Sequence, residues 1–96
     1  MSISIFIANR LSNGNFLFPA EVHIDEHFVT IVKPGPVTNR EKSFDYKNIT
    51  SVEVITPFFG FSKVIISAFG LDKVLIEGFE RRDAELIKYQ ILKNKR

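Results

Sequence analysis

Short runs of Ile, Val and Phe, cut by turn-forming residues, fill the chain as far as Phe79. β-Branched and aromatic residues suit a pleated, half-buried surface, so each run predicts a strand. Ser2–Ala8 is the first. The loop Asn9–Asn15 follows, and its Asn13-Gly14 is the strongest local turn signal in the chain. Phe16–Ile24 is the second run, and its end alternates: Ala20, Val22 and Ile24 against Glu21 and His23. Asp25-Glu26 predicts a two-residue turn into Phe28–Lys33. Pro34-Gly35-Pro36 stops that strand, because proline donates no ladder hydrogen bond. Arg40–Tyr46 is a fourth run, with Phe44 and Tyr46 on one face. Ile49–Thr56 is a fifth, with Val52 and Val54 opposed to Ser51 and Glu53. Pro57-Phe58-Phe59-Gly60 ends it. Phe61–Phe69 is a sixth, and Gly70-Leu71-Asp72 turns it into Lys73–Phe79. Seven strands at this spacing predict an antiparallel barrel or sandwich.

The period changes after Gly78. Ala84, Ile87 and Ile91 recur at three and four, which places them on one helical face. Acidic Asp83 and Glu85 lie in the first turns and cations in the last, matching the helix dipole. The expected helix runs from about 80 to 94 and covers an open end or slot of the β structure. One amphipathic helix after seven strands is too little for a βαβ fold. The expectation is one domain over residues 1–96, mainly β, with strands across about 2–79.

Composition narrows the function classes. The chain has 96 residues, 45% of them hydrophobic and 25% charged, an ordinary globular mix. It contains no cysteine, which removes disulfides, thiolate chemistry and Cys-based metal sites. That fits a reducing compartment. Ile3–Ala8 is too short to span a bilayer, and no basic region precedes it as in a secretory signal. A cytoplasmic location is therefore expected. The net charge of +2 is unevenly placed. Residues 1–78 hold seven Lys/Arg against eight Asp/Glu, whereas residues 79–96 hold six against three. The basic excess thus belongs to the helix and its tail, Lys93-Asn94-Lys95-Arg96. A nucleic-acid binder usually carries a basic stripe over a whole face, so nucleic acid is not an expected partner.

The segment Phe44-Asp45-Tyr46-Lys47-Asn48-Ile49-Thr50-Ser51-Val52-Glu53-Val54 resembles one found in bacterial members of the pleckstrin-homology-like superfold. The likeness continues through Val64-Ile65-Ile66-Ser67, the Gly70 turn, and Ile76-Glu77-Gly78-Phe79 before the helix. It covers about residues 16–92. It implies a seven-stranded barrel or sandwich closed by a C-terminal helix. It implies a binding or assembly role without choosing a ligand, since members variously bind phosphoinositides, bind peptides or oligomerise. Phosphoinositide binders of this superfold clamp phosphates with a Lys…(Lys/Arg)-x-Arg pattern on their first strand pair. The matching stretch here, residues 3–22, holds only Arg10.

No chemistry-bearing constellation rises above this. His23, Asp25, Glu26 and His27 crowd together. A turn at Asp25-Glu26 would pair Ile24 with His27 and His23 with Phe28, pointing the two imidazoles to opposite faces. No metal ligand set is therefore expected. No phosphate loop, zinc-protease helix or nucleophile elbow occurs, and no catalytic residue or cofactor is expected. Phe59-Gly60-Phe61 then Val64 is a faint echo of an RNA-binding aromatic strand, without its leading cation.

Two surface features remain. Arg10, Lys33, Arg40, Lys42 and Lys73 could gather at one end as a weak anion or lipid-headgroup cluster, offset by Glu41 and Asp72. The aromatic turn Phe58-Phe59-Gly60-Phe61 is unusual because turns are normally polar. Its rings either roll under the β structure into the core or form an interaction patch, with Tyr89 and Leu92 on the helix face opposite Ile87. The expected function is a non-enzymatic binding or assembly module that joins a protein partner or itself. Peripheral binding to an anionic membrane surface is the second expectation.

Overall fold

The computed structural model describes residues 3–9, 19–70 and 73–95. Seven strands appear in the order expected: β1 (Ser4–Ile7), β2 (Glu21–Ile24), β3 (Phe28–Lys33), β4 (Arg40–Asp45), β5 (Ile49–Ile55), β6 (Ser62–Ala68) and β7 (Val74–Phe79), followed by α1 (Arg81–Asn94). The Asn13-Gly14 signal, and residues 16–18 of the second expected run, lie outside the described residues. Arg40–Tyr46 gives way one residue early, where Tyr46–Asn48 forms a turn of 3-10 helix capped by the Asp45 carboxylate.

The strands form two antiparallel sheets, β1-β2-β3-β4 and β5-β6-β7. Alternation dictates which face is inward. On β6 every second residue is buried from Ser62 to Ala68. On β2 and β3, Val22 and Ile24 stand opposite Ile31 and Val29, and all four are buried. The β2–β3 turn falls one residue later than expected, at Glu26-His27, so Ile24 faces Val29 rather than His27. The cause is Asp25. Its carboxylate accepts the His27 and Phe28 backbone N–H groups, each at 2.7 Å, and its own N–H donates to the Phe28 carbonyl. An aspartate in that role fixes the first corner of the turn.

Two hydrogen bonds link β7 to the first sheet. Lys33 Nζ donates to the Leu75 carbonyl at 3.2 Å, and the Asn9 N–H donates to the Gly78 carbonyl at 2.7 Å. These contacts join two separate sheets, and among the described residues the strands do not close into a barrel.

A bulge makes β7 fit. Ser62 pairs with Phe79 but Lys63 with Glu77, so Gly78 is the extra residue, at φ +103°. Strict alternation from Val74 and Ile76 would point Phe79 outward. The extra residue turns Phe79 inward, where it is 1% exposed. Glycine adopts that φ without the clash a Cβ would bring.

Helix α1 packs on β2, β5, β6 and β7 and so straddles both sheets. Ala84, Ile87 and Ile91 are fully buried, the stripe that the spacing predicts. Each buried Ile contributes about 1.5–3 kcal/mol. Ile87→Asp would place an unpaired carboxylate in that seam and is expected to cost several kcal/mol of the roughly 5–15 available. Thermal melting checks this; a midpoint within a degree or two of the parent would mean that the helix does not hold the core.

Candidate functional site

The sandwich is tied at one corner and open at the other. Asn9 and Gly78 tie β1 to β7, whereas among the described residues no strand pairs with the outer side of β4. The open corner is a cleft of about 840 Å³ between β4 and β7. Lys33, Arg40, Lys42 and Lys73 all line it. Four of the five cations singled out from the sequence therefore share one cleft. Arg10, the fifth, and Asp72, an expected offset, lie outside the described residues.

The cleft is not uniformly basic. Glu41 and Glu77 line it too, and Glu77 reaches Lys63 across the β6–β7 pair at 3.3 Å. Lys33 spends one donor on the Leu75 carbonyl. Among the described residues, Arg40, Lys42 and Lys73 have no carboxylate within ion-pair distance. Four cations against two carboxylates leave a positive, open, wet cleft. It can hold an anion by charge. Glu77 was not anticipated as a lining residue.

The aromatic turn stands clear of the core. Phe58 is 93% and Phe59 84% exposed, and Phe61 is half-buried. The reading in which these rings join the core is overturned for Phe58 and Phe59. The reason is geometric: the inward row of β6 begins at Ser62, so the turn lies beyond the layer that the sheets enclose. The two rings shelter each other instead, edge to face at 4.9 Å between centroids. Gly60 takes φ +94° to turn the chain back into β6.

Tyr89 and Leu92 are exposed, at 62% and 44%. They lie in the last turns of α1, whose end is held by a bond from Asn94 Nδ2 to the Tyr46 hydroxyl. Tyr46 precedes the start of β5, while Phe58 and Phe59 follow its end. The two aromatic features thus sit at opposite ends of β5 and form separate surfaces.

The histidines are placed by the turn. His23 Nε2 lies 2.8 Å from Glu21 Oε1 on the outer face of β2, and His27 is exposed in the turn. Among the described residues no group of three or more His, Cys, Asp or Glu could hold a metal ion. Among them, too, no helix is long and apolar enough to cross a membrane.

Tyr46 is the anchor that the sequence did not single out beyond its core-facing position. Its hydroxyl lies 2.5 Å from the Asp25 carbonyl and 3.1 Å from that of Phe28. It ties the β2–β3 turn to the end of α1. Burial raises its pKa above 10.0, and the nearby Asp25 charge adds to that, while the Asn94 bond opposes it. Bonds from the Phe28 and His27 N–H groups hold the Asp25 carboxyl below its usual value. The signs differ. A depressed Asp25 gives stability above its unfolded value that is lost as pH falls through the folded one. A raised Tyr46 gives stability that begins to be lost as pH climbs past 10.0 toward the folded value. Tyr46→Phe is expected to cost about 1–2 kcal/mol at neutral pH and to flatten the alkaline arm of a stability–pH curve. Urea melts of both proteins across that range check it; parallel curves above pH 10.0 would remove Tyr46 from the alkaline loss.

No protein-family model matches the chain, and no curated protein or solved structure matches it either.

Proposed function

We propose that the chain is a non-enzymatic, pleckstrin-homology-like binding or assembly module that docks on a protein surface, its own or a partner's, through the Phe58–Phe59 turn. The carrying observation is the exposure of two adjacent aromatic rings at a hairpin tip whose strands are otherwise well packed. Each Phe left in water forgoes roughly 1.5–3 kcal/mol of burial. A docked surface recovers it, and rigid aromatic side chains are common anchors in such contacts. Support for the fold family comes from the order of a four-stranded sheet, a three-stranded sheet and a C-terminal helix, together with the residue 44–54 likeness.

Light scattering at micromolar concentration is expected to find the chain associated. Phe58→Ser/Phe59→Ser is expected to lower the mass to a smaller species while the melting temperature is kept. A mass that the double change leaves untouched would show that the turn does not drive self-association, and a variant that simply unfolds would show that the two rings serve the fold.

The cleft favours a second reading, peripheral binding of anionic lipid headgroups. Each cation beside an anionic surface contributes about 1 kcal/mol, and Glu41 and Glu77 offset part of it. The affinity expected is weak and set by charge alone. Phosphatidylserine and phosphoinositide vesicles of equal charge should sediment the protein equally. Arg40→Ala/Lys42→Ala should reduce that binding several-fold. About 0.3 M salt, where screening acts within about 6 Å, should abolish it. Headgroup-selective binding that survives this salt would overturn the charge-only account, and binding indifferent to the two substitutions would move the site elsewhere.

A further inference from the structure

The outer edge of β1 has a chemistry of its own, independent of the aromatic turn. In an antiparallel pair, alternate residues exchange hydrogen bonds with the partner and the rest point away from it. The Ala8 N–H donates to the Ala20 carbonyl, and Asn9, the next residue, donates outward to Gly78. The β1–β2 register continues that phase: Ser4 opposite Ile24 and Phe6 opposite Val22 are bonded pairs. The backbone groups of Ile3, Ile5 and Ile7 therefore face away from β2, along an edge that no strand among the described residues pairs. The same three side chains are 58%, 55% and 57% exposed on the outer face of the sheet. Open hydrogen-bonding groups and exposed apolar side chains thus fall on the same residues.

The opposite edge of this sheet is built otherwise. The β2–β3 and β3–β4 registers carry the phase across to β4, where Glu41, Ser43 and Asp45 present the unpaired backbone. Two carboxylates in three positions guard that edge, as charges commonly do. Residues 3–8 carry no charge and no proline. Beside them on the outer face, Glu21 and His23 pair with each other.

We infer that β1 is a self-association edge: two copies of this chain join β1 to β1 in antiparallel fashion, with the two-fold axis at Ile5. An identical strand meets every demand of the edge. Pairing Ile5 with Ile5 of the partner subunit places Ile3 opposite the partner subunit's Ile7 and Ile7 opposite the partner subunit's Ile3. Every facing pair then joins outward residue to outward residue, and the isoleucines form one apolar row across the seam. The contact is isologous, so it closes at two copies. Asn9, already bonded to Gly78, marks where the seam ends. The result is one continuous eight-stranded sheet with an acidic edge at each end.

The test uses the full chain carrying Phe58→Ser/Phe59→Ser, so that association through the aromatic turn cannot stand in for the seam. At about 100 µM, where a micromolar Kd leaves mostly dimer, sedimentation equilibrium should give twice the 11.0 kDa of one chain. Adding Ile5→Lys, which sets two like charges face to face at the axis, should return the mass to one chain with far-UV circular dichroism unchanged. Amide exchange on the parent keeps the test decisive if that variant unfolds. Between about 1 and 100 µM, the Ile5 and Ile7 amides should slow at least about tenfold, while those of Phe6 and Ala8, bonded within the sheet, should stay slow throughout. A single-chain mass at the higher concentration, or Ile5 and Ile7 amides that exchange freely at both, overturns the proposal. So does a dimer that Ile5→Lys leaves intact, and a monomer would leave the edge open to a strand from a different protein.

Discussion

The bulge at Gly78 decides how the two sheets meet. With strict alternation, β7 would present Val74 and Ile76 inward and Phe79 outward, where it would lose the core it now fills. One extra residue at φ +103° keeps all three inside. It also leaves the Gly78 carbonyl free of the β6 ladder and within reach of Asn9. That bond draws the end of β1 against β7 and holds one corner of the sandwich shut. At the opposite corner, among the described residues, the long Lys33 side chain reaches Leu75 and β4 and β7 stand apart across the cleft. The basic cleft and the limit of the β1 edge thus follow from where a single glycine sits.

A second tie sets the position of the helix. Tyr46 sits where the chain passes from one sheet to the other, and its hydroxyl meets the β2–β3 turn on one side and Asn94 on the other. At the other end of the helix, Glu80 makes no side-chain cap, and the buried stripe of Ala84, Ile87 and Ile91 holds α1 by apolar contact. Apolar contact is nondirectional. The hydrogen bonds at Tyr46 therefore give the helix end its register, and the buried Ile87 and Ile91 supply most of its stability.

Strands were legible in the sequence because their period is local. The limits of β3 and the buried stripe of α1 follow directly from Phe28–Lys33 and from Ala84, Ile87 and Ile91. The turn at Asp25 was misplaced by one residue because the apolar alternation of Val22, Ile24, Val29 and Ile31 is preserved in either register. Only the carboxylate's choice of two N–H groups separates the two. The grouping of Lys33, Arg40, Lys42 and Lys73 was foreseeable, since they sit near strand ends. The entry of Glu77 was not, because it depends on how the two sheets pack together, which no local pattern carries. Exposure of Phe58 and Phe59 was equally hidden: hydrophobicity alone says that a ring gains by burial, and topology decides whether a buried place exists.

The surfaces differ in what they can contribute to binding. The cations of the cleft face water, and exposed charges act weakly and fade with salt. They orient an encounter more than they hold it. The Phe58–Phe59 pair and the isoleucine edge gain by losing water, and salt does not screen that gain. The edge adds backbone hydrogen bonds, which demand an extended partner strand in one register. The aromatic tip makes no such demand and accepts any apolar hollow of suitable size. Geometry thus separates a selective contact at β1 from a permissive one at the turn. The cleft, between Arg40 on β4 and Leu75 on β7, lies on the side of the sheet away from β1. A seam along β1 would leave that cleft open, and two copies joined there would carry two clefts, so that weak charge attraction at each could act together on one anionic surface.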